Sequence, residues 1–153
     1  MSVPILPAAA LALIASGVFF LAGLVTGVWK YRCIATSAQA TAPAYVDICH
    51  RAALMYSFAC IVLLEFAQRS AWPPPVNLAA TAIPITYFGI AVISYAVHGW
   101  LRDTDNQLRH PHRLGLFEVP ALLMSLFFWS LVVAEIGSFL VLFCGFLKTL
   151  RAA

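Results

Sequence analysis

Histidine is the side chain in this sequence best suited to chemistry, and two of its four histidines, His50 and His98, lie near the ends of successive apolar segments. An imidazole inside a membrane segment is costly unless it is paired, hydrated or bound to something, so it marks a functional site by default. The basic residues of the loops assign both histidines to the same face of a membrane, each about one helical turn inside. Short connections make sequential segments neighbours, so the two rings are expected to approach each other or one prosthetic group. The plainer alternative is a pair of interfacial histidines bonded to backbone carbonyls or lipid headgroups.

Structural zinc wants four ligands, and although Asp47, Cys49 and Asp103 are close in sequence to the histidines, their spacing matches no zinc pattern. Haem b needs only one or two imidazoles and an apolar, aromatic pocket, which this composition supplies readily. At 100° per residue Tyr87, Ser94 and Tyr95 share a helix face with His98, and Ser57 shares one with His50. Tyrosines at interfaces and small polar residues at helix contacts also arise from packing alone. The polar run Arg102 to Arg113, with its carboxylates and the His110-Pro111-His112 step, suits a metal, an anionic substrate or a solvated anchor. Glu65 and Glu135 are intramembrane carboxylates, suited to a proton path or to a hydrogen-bonded helix contact. Gly23 and Gly27 form a GxxxG step that predicts a helix seam.

The elements that must position these groups follow from composition. With 63% hydrophobic and 10% charged residues and a mean hydropathy of +0.92, the chain belongs in a bilayer. The expected fold class is all-α: an integral membrane four-helix bundle forming one domain over residues 1–153, with both termini on the same side. Spans are expected at about 5–28, 45–67, 76–101 and 116–147. The second must begin near Tyr45, because Arg51 and Glu65 enclose too few uncharged residues to cross about 30 Å of hydrocarbon. Pro120 suits the first turn of the fourth. The first is not a signal peptide by pattern, since no Lys or Arg precedes Lys30.

Lys30, Arg32, Arg51, Arg102, Arg109 and Arg113 fall on one side of this arrangement, against Arg69, Lys148 and Arg151 on the other. The asymmetry predicts loops one and three in the cytoplasm, in a bacterial inner membrane. It also accounts for the net charge of +3 without nucleic acid. Cys33, Cys49, Cys60 and Cys144 form no CxxC pair, and a disulfide framework is not expected.

Cys49-His50-Arg51-Ala52-Ala53-Leu54-Met55-Tyr56, opening the second span after a first loop, resembles the styrene-oxide isomerases, four-span membrane enzymes that hold haem b through one histidine and convert epoxides to aldehydes. The resemblance implies His50 as the iron ligand, with Tyr56 standing where that family has asparagine. Asp47-Ile48-Cys49-His50-Arg51-Ala52 is also similar to the opening of the second helix in the MAPEG family, with Met55 and Phe58 where asparagine and glutamate are expected. Both resemblances imply a homo-oligomer, a trimer of four-helix subunits.

The first expectation is therefore a haem b enzyme acting on a small lipophilic substrate, with iron as Lewis acid and Tyr56, Tyr87 or Tyr95 donating a hydrogen bond to a developing alkoxide. If His98 takes the other axial position, the protein is an electron-transfer cytochrome b. A glutathione-dependent transferase or a non-catalytic membrane subunit stands as the alternative from another class.

Overall fold

The computed structural model describes residues 6–152. Four long helices dominate it: α1 (Pro7–Thr36), α2 (Ala44–Gln68), α3 (Pro74–Leu101) and α4 (Ala121–Ala152). A two-stranded hairpin, β1 (Arg113–Leu114) and β2 (Phe117–Glu118), separates α3 from α4. All four helices are long and apolar enough to cross a membrane. Helices satisfy their own backbone hydrogen bonds, which hydrocarbon cannot do for them. The outward faces agree: Ile14, Val25, Phe58, Leu122 and Val133 are each more than 60% exposed, an arrangement that water would penalise and lipid does not.

Sequential helices pack antiparallel. On the α1–α2 seam Gly23 meets Leu54, Gly27 meets His50 and Lys30 pairs with Asp47 at 2.5 Å, so one number rises as the other falls. The predicted GxxxG step is this seam. A methyl group at Gly23 would come to 2.5 Å from Leu54 Cδ2 and 3.3 Å from the Leu54 backbone nitrogen, so only glycine allows the approach. On the α2–α3 seam Val46 meets Gly99, the Cys49 thiol points at the Val92 carbonyl (3.6 Å), and Tyr56 stacks on Phe88 with ring centroids 4.3 Å apart. The core is made largely of small residues (Ala8, Ala15, Ala53, Ala67, Ala80) with Phe19, Leu63, Phe88 and Leu142 filling the space between them.

The α2–α3 link clasps the far end of α4. Trp72 Nε1 donates to the Val141 carbonyl (2.8 Å), the Ala71 amide to Gly145 (3.1 Å), and Thr149 Oγ1 to the Arg69 carbonyl (2.8 Å). With Pro73 as its N-cap, α3 starts on Pro74 and Pro75, at the positions where a missing amide hydrogen costs nothing.

The second and third spans match the expected ranges to within two residues at each end. The first begins at Ile5 in the sequence reading, outside the described residues, and its helix runs eight residues past Val28 because Trp29 packs on Gly99 and Lys30 finds Asp47. The fourth is displaced toward the C-terminus. Leu116 to Pro120 are not helical: Gly115 at φ +61° and Leu116 form the two-residue turn of the hairpin, and Pro120 precedes the helix. An apolar run was read there as span, but glycine at the first turn position and ladder pairs Arg113–Glu118 and Leu114–Phe117 favour a hairpin.

Gly23→Val should push α1 off α2 and cost about 1–3 kcal/mol through overpacking. Gly17→Val, where a Cβ meets nothing within 4 Å, is the matched control. Thermal unfolding in one detergent should show a lowered midpoint for the first substitution only.

Candidate functional site

The two histidines have different surroundings. His50 turns toward α1, where its Nδ1 lies 2.8 Å from the Gly23 carbonyl oxygen. A carbonyl only accepts, so Nδ1 carries the hydrogen and the neutral ring keeps its lone pair on Nε2. Gly27 makes room for the ring: a Cβ there would stand 3.0 Å from Cε1 but 3.8 Å from Nε2, so Nε2 is the nitrogen farther from that point. Among the described residues Nε2 has no hydrogen-bond partner.

By helical register Leu24 and Val28 of α1 and Met55 and Phe58 of α2 lie on one side of this seam, and all four are more than half exposed. The side chain of His50 thus borders an apolar outer wall. A tautomer locked by a backbone carbonyl, a free Nε2 and apolar surroundings fit an axial haem ligand, whose other ring nitrogen is ordinarily held in this way.

His98 is built into a separate polar centre. Its Nδ1 donates to Asp103 Oδ1 at 2.8 Å, and both side chains are only 6% exposed. Asp103 Oδ2 accepts the Gly115 amide at 2.6 Å, which ties the hairpin to the end of α3. The Tyr45 ring lies 5.0 Å from the imidazole, and the Tyr45 hydroxyl accepts the Gln107 amide at 2.5 Å. His112 completes the anchor by donating from Nδ1 to the Gln107 carbonyl (3.0 Å). Burial alone would push the Asp103 carboxyl up, but the Gly115 amide and His98 outweigh it and hold it below the usual carboxylate range.

No contact joins His50 to His98 among the described residues. Tyr95 packs on Tyr45, with centroids 5.9 Å apart, and reaches the His98 region through it. Tyr87 has left the expected stripe and donates to Ser130 of α4 at 3.0 Å. Tyr56 points into the core against Phe88 and Phe19. None of the three contacts His50. Glu65 pairs with Arg69 at the end of α2, whereas Glu135 Oε1 is buried without a partner among the described residues. Those residues contain no cluster of three or more His, Cys, Asp or Glu able to hold a metal ion.

Sequence reasoning missed Tyr45 and Gln107 and saw Asp103 only as a neighbour. Asp103 is five residues beyond His98, off the helix face, and reaches it only because Arg102 adopts a left-handed conformation (φ 51°, ψ 35°) that turns the chain back. A glycine at that position would have signalled the turn; an arginine conceals it.

Compared with family models, with curated proteins and with solved structures, the chain matches none of them.

Asp103→Asn removes the ionised acceptor of His98 and of the Gly115 amide, and should cost about 1.5–3 kcal/mol at neutral pH. Because the folded-state carboxyl titrates below its ordinary value of about 3.9, its contribution is complete above that value and is lost as pH falls through the lower one. The gap in thermal midpoint between wild type and variant should therefore be wide at pH 7 and close in strong acid. An equal gap at both ends would contradict the assignment.

Proposed function

We propose that this protein is a haem b-binding membrane enzyme in which His50 is the axial ligand and the substrate is a small lipophilic molecule. The observation that carries the reading is the Nδ1 bond to the Gly23 carbonyl, which leaves Nε2 of a neutral imidazole free beside an apolar wall. Leu24, Val28, Met55 and Phe58 would hold the flat face of the group and keep water from it. When bound, haem iron supplies a Lewis acid for a substrate oxygen, the chemistry of an epoxide isomerisation.

The chain's own contribution is orientation and proton donation. Gly23 sets the tautomer and the angle of the ring, and Gly27 leaves it space. Tyr56, Tyr87 and Tyr95 do not contact His50 within one chain. In the isomerase reading the protein is a homo-oligomer, with the trimer as the expected form, and a second copy would bring a tyrosine hydroxyl to the substrate. His98 as a second ligand has less in its favour, because its ring is only 6% exposed and packs against Tyr45 in a polar centre separate from the apolar wall beside His50. In this reading loops one and three face the cytoplasm of a bacterial inner membrane, on the excess of Lys and Arg at that end of the bundle.

Protein purified in mild detergent and supplied with haemin should give a Soret band, with high-spin ferric character from one protein ligand. His50→Ala should abolish it and His98→Ala should leave it. A low-spin spectrum lost in both variants would favour the cytochrome b alternative. No Soret band under any loading condition would remove both.

A further inference from the structure

A second site, independent of haem and of His50, lies at the end of the bundle where α2 begins and α3 ends. Here the loop from Arg102 to Arg113 encloses an open cleft of about 540 Å³. Tyr45, His98, Arg102, Arg109, His110 and Arg113 supply its cationic and donor groups, with Asp103 and Asp105 opposite in charge. Both carboxylates are already occupied. Asp103 is taken by His98 and the Gly115 amide, and Asp105 pairs with Arg109 at 2.9 Å. Arg102 and Arg113 have no carboxylate partner among the described residues. Arg102 thus lines the cleft with no carboxylate paired to it, and Arg113 beside it faces Glu118 only as its ladder partner across the hairpin, with no ion pair formed.

The backbone adds a separate indication. Arg102 sits in the left-handed region at φ 51°, a conformation that costs a side-chain-bearing residue about 1–2 kcal/mol and that glycine would adopt freely. That conformation ends α3, returns Asp103 to His98 and sets Arg102 at the edge of the cleft. Hydrogen bonds already hold the base of the cleft. The Asp103–His98 pair, the Tyr45–Gln107 bond and the His112–Gln107 bond fix the residues at its base. Ordering the base therefore costs a ligand little, and the ordering left to binding is that of the two exposed arginine side chains.

We propose that this cleft binds a phosphate group, gripped by Arg102 and Arg113 with His98 at its floor. Planar guanidinium forks suit the several oxygens of a phosphate, and two of them on one cleft match its charge better than that of a single carboxylate. The phosphate can come from a lipid headgroup or from a soluble phosphate compound. Trp100, two residues before Arg102, and Leu114, Leu116 and Phe117, which follow Arg113, are exposed apolar groups suited to the bilayer interface.

The test uses the full chain at constant ionic strength. In neutral detergent, inorganic phosphate and glycerol 3-phosphate are titrated calorimetrically. In nanodiscs of phosphatidylcholine with or without phosphatidic acid, retained lipid is read by native mass spectrometry. The double substitution R102Q/R113Q should weaken binding about tenfold or more, whereas R151Q, at the other end of α4, should leave it unchanged. D105N should tighten binding by releasing Arg109, a gain that misfolding cannot mimic. Binding of the soluble probes identifies a soluble ligand, and retention of phosphatidic acid alone identifies a headgroup; either supports the site. Equal weakening by R151Q, no tightening by D105N, or no binding of any phosphate probe overturns it.

Discussion

The close approach of α1 to α2 at Gly23 and Gly27 governs what the rest of this bundle can do. Apolar side chains gain nothing by leaving lipid for one another, so helices in a membrane associate through close packing and a few polar bonds. Both are present on this seam: Leu54 fills the notch at Gly23, and His50 bonds to the Gly23 carbonyl across it. The same contact that joins the helices fixes the tautomer of His50. Lys30 and Asp47 close the seam at its loop end, which keeps the start of α2 beside the cleft lined by Tyr45 and His98.

The polar side chains inside the bundle divide by height. Near the first and third loops they are paired and numerous: Lys30 with Asp47, His98 with Asp103, Tyr45 with Gln107. Farther along the helices they are few, and hydroxyls mostly return to their own backbone, as Ser57 does to Leu54 and Thr81 to Asn77. Glu135 is the departure, with one buried carboxyl oxygen unpartnered among the described residues. This division follows from the cost of a polar group in hydrocarbon, which falls steeply toward the interface.

Much of the helical frame was legible in the residues. Uncharged stretches located the spans because a charge at the bilayer centre is expensive. The GxxxG step revealed a seam because only glycine permits that approach. The hairpin was not legible, since Leu114-Gly115-Leu116-Phe117 is as apolar as a span and is distinguished only by the backbone of Gly115. The tyrosine stripe on α3 was read from one periodicity, yet Tyr87 turned to Ser130 and Tyr95 to Tyr45, because α2 and α4 pack on different sides of the same helix.

By itself the sequence determined that this chain has four apolar helices, that most of the basic residues fall at the end of the bundle formed by loops one and three, and that His50 and His98 belong near that end. These depend on composition and on spacing along the chain, which transfer free energies and helix geometry translate directly. Only the tertiary structure decided that the two histidines bond to different partners. Their depth was readable, but the direction each ring faces depends on which neighbour offers an acceptor: the Gly23 carbonyl for His50, and for His98 a carboxylate brought back by a left-handed arginine. Periodicity cannot see that reversal, because it arises from a single backbone angle beyond the end of a helix.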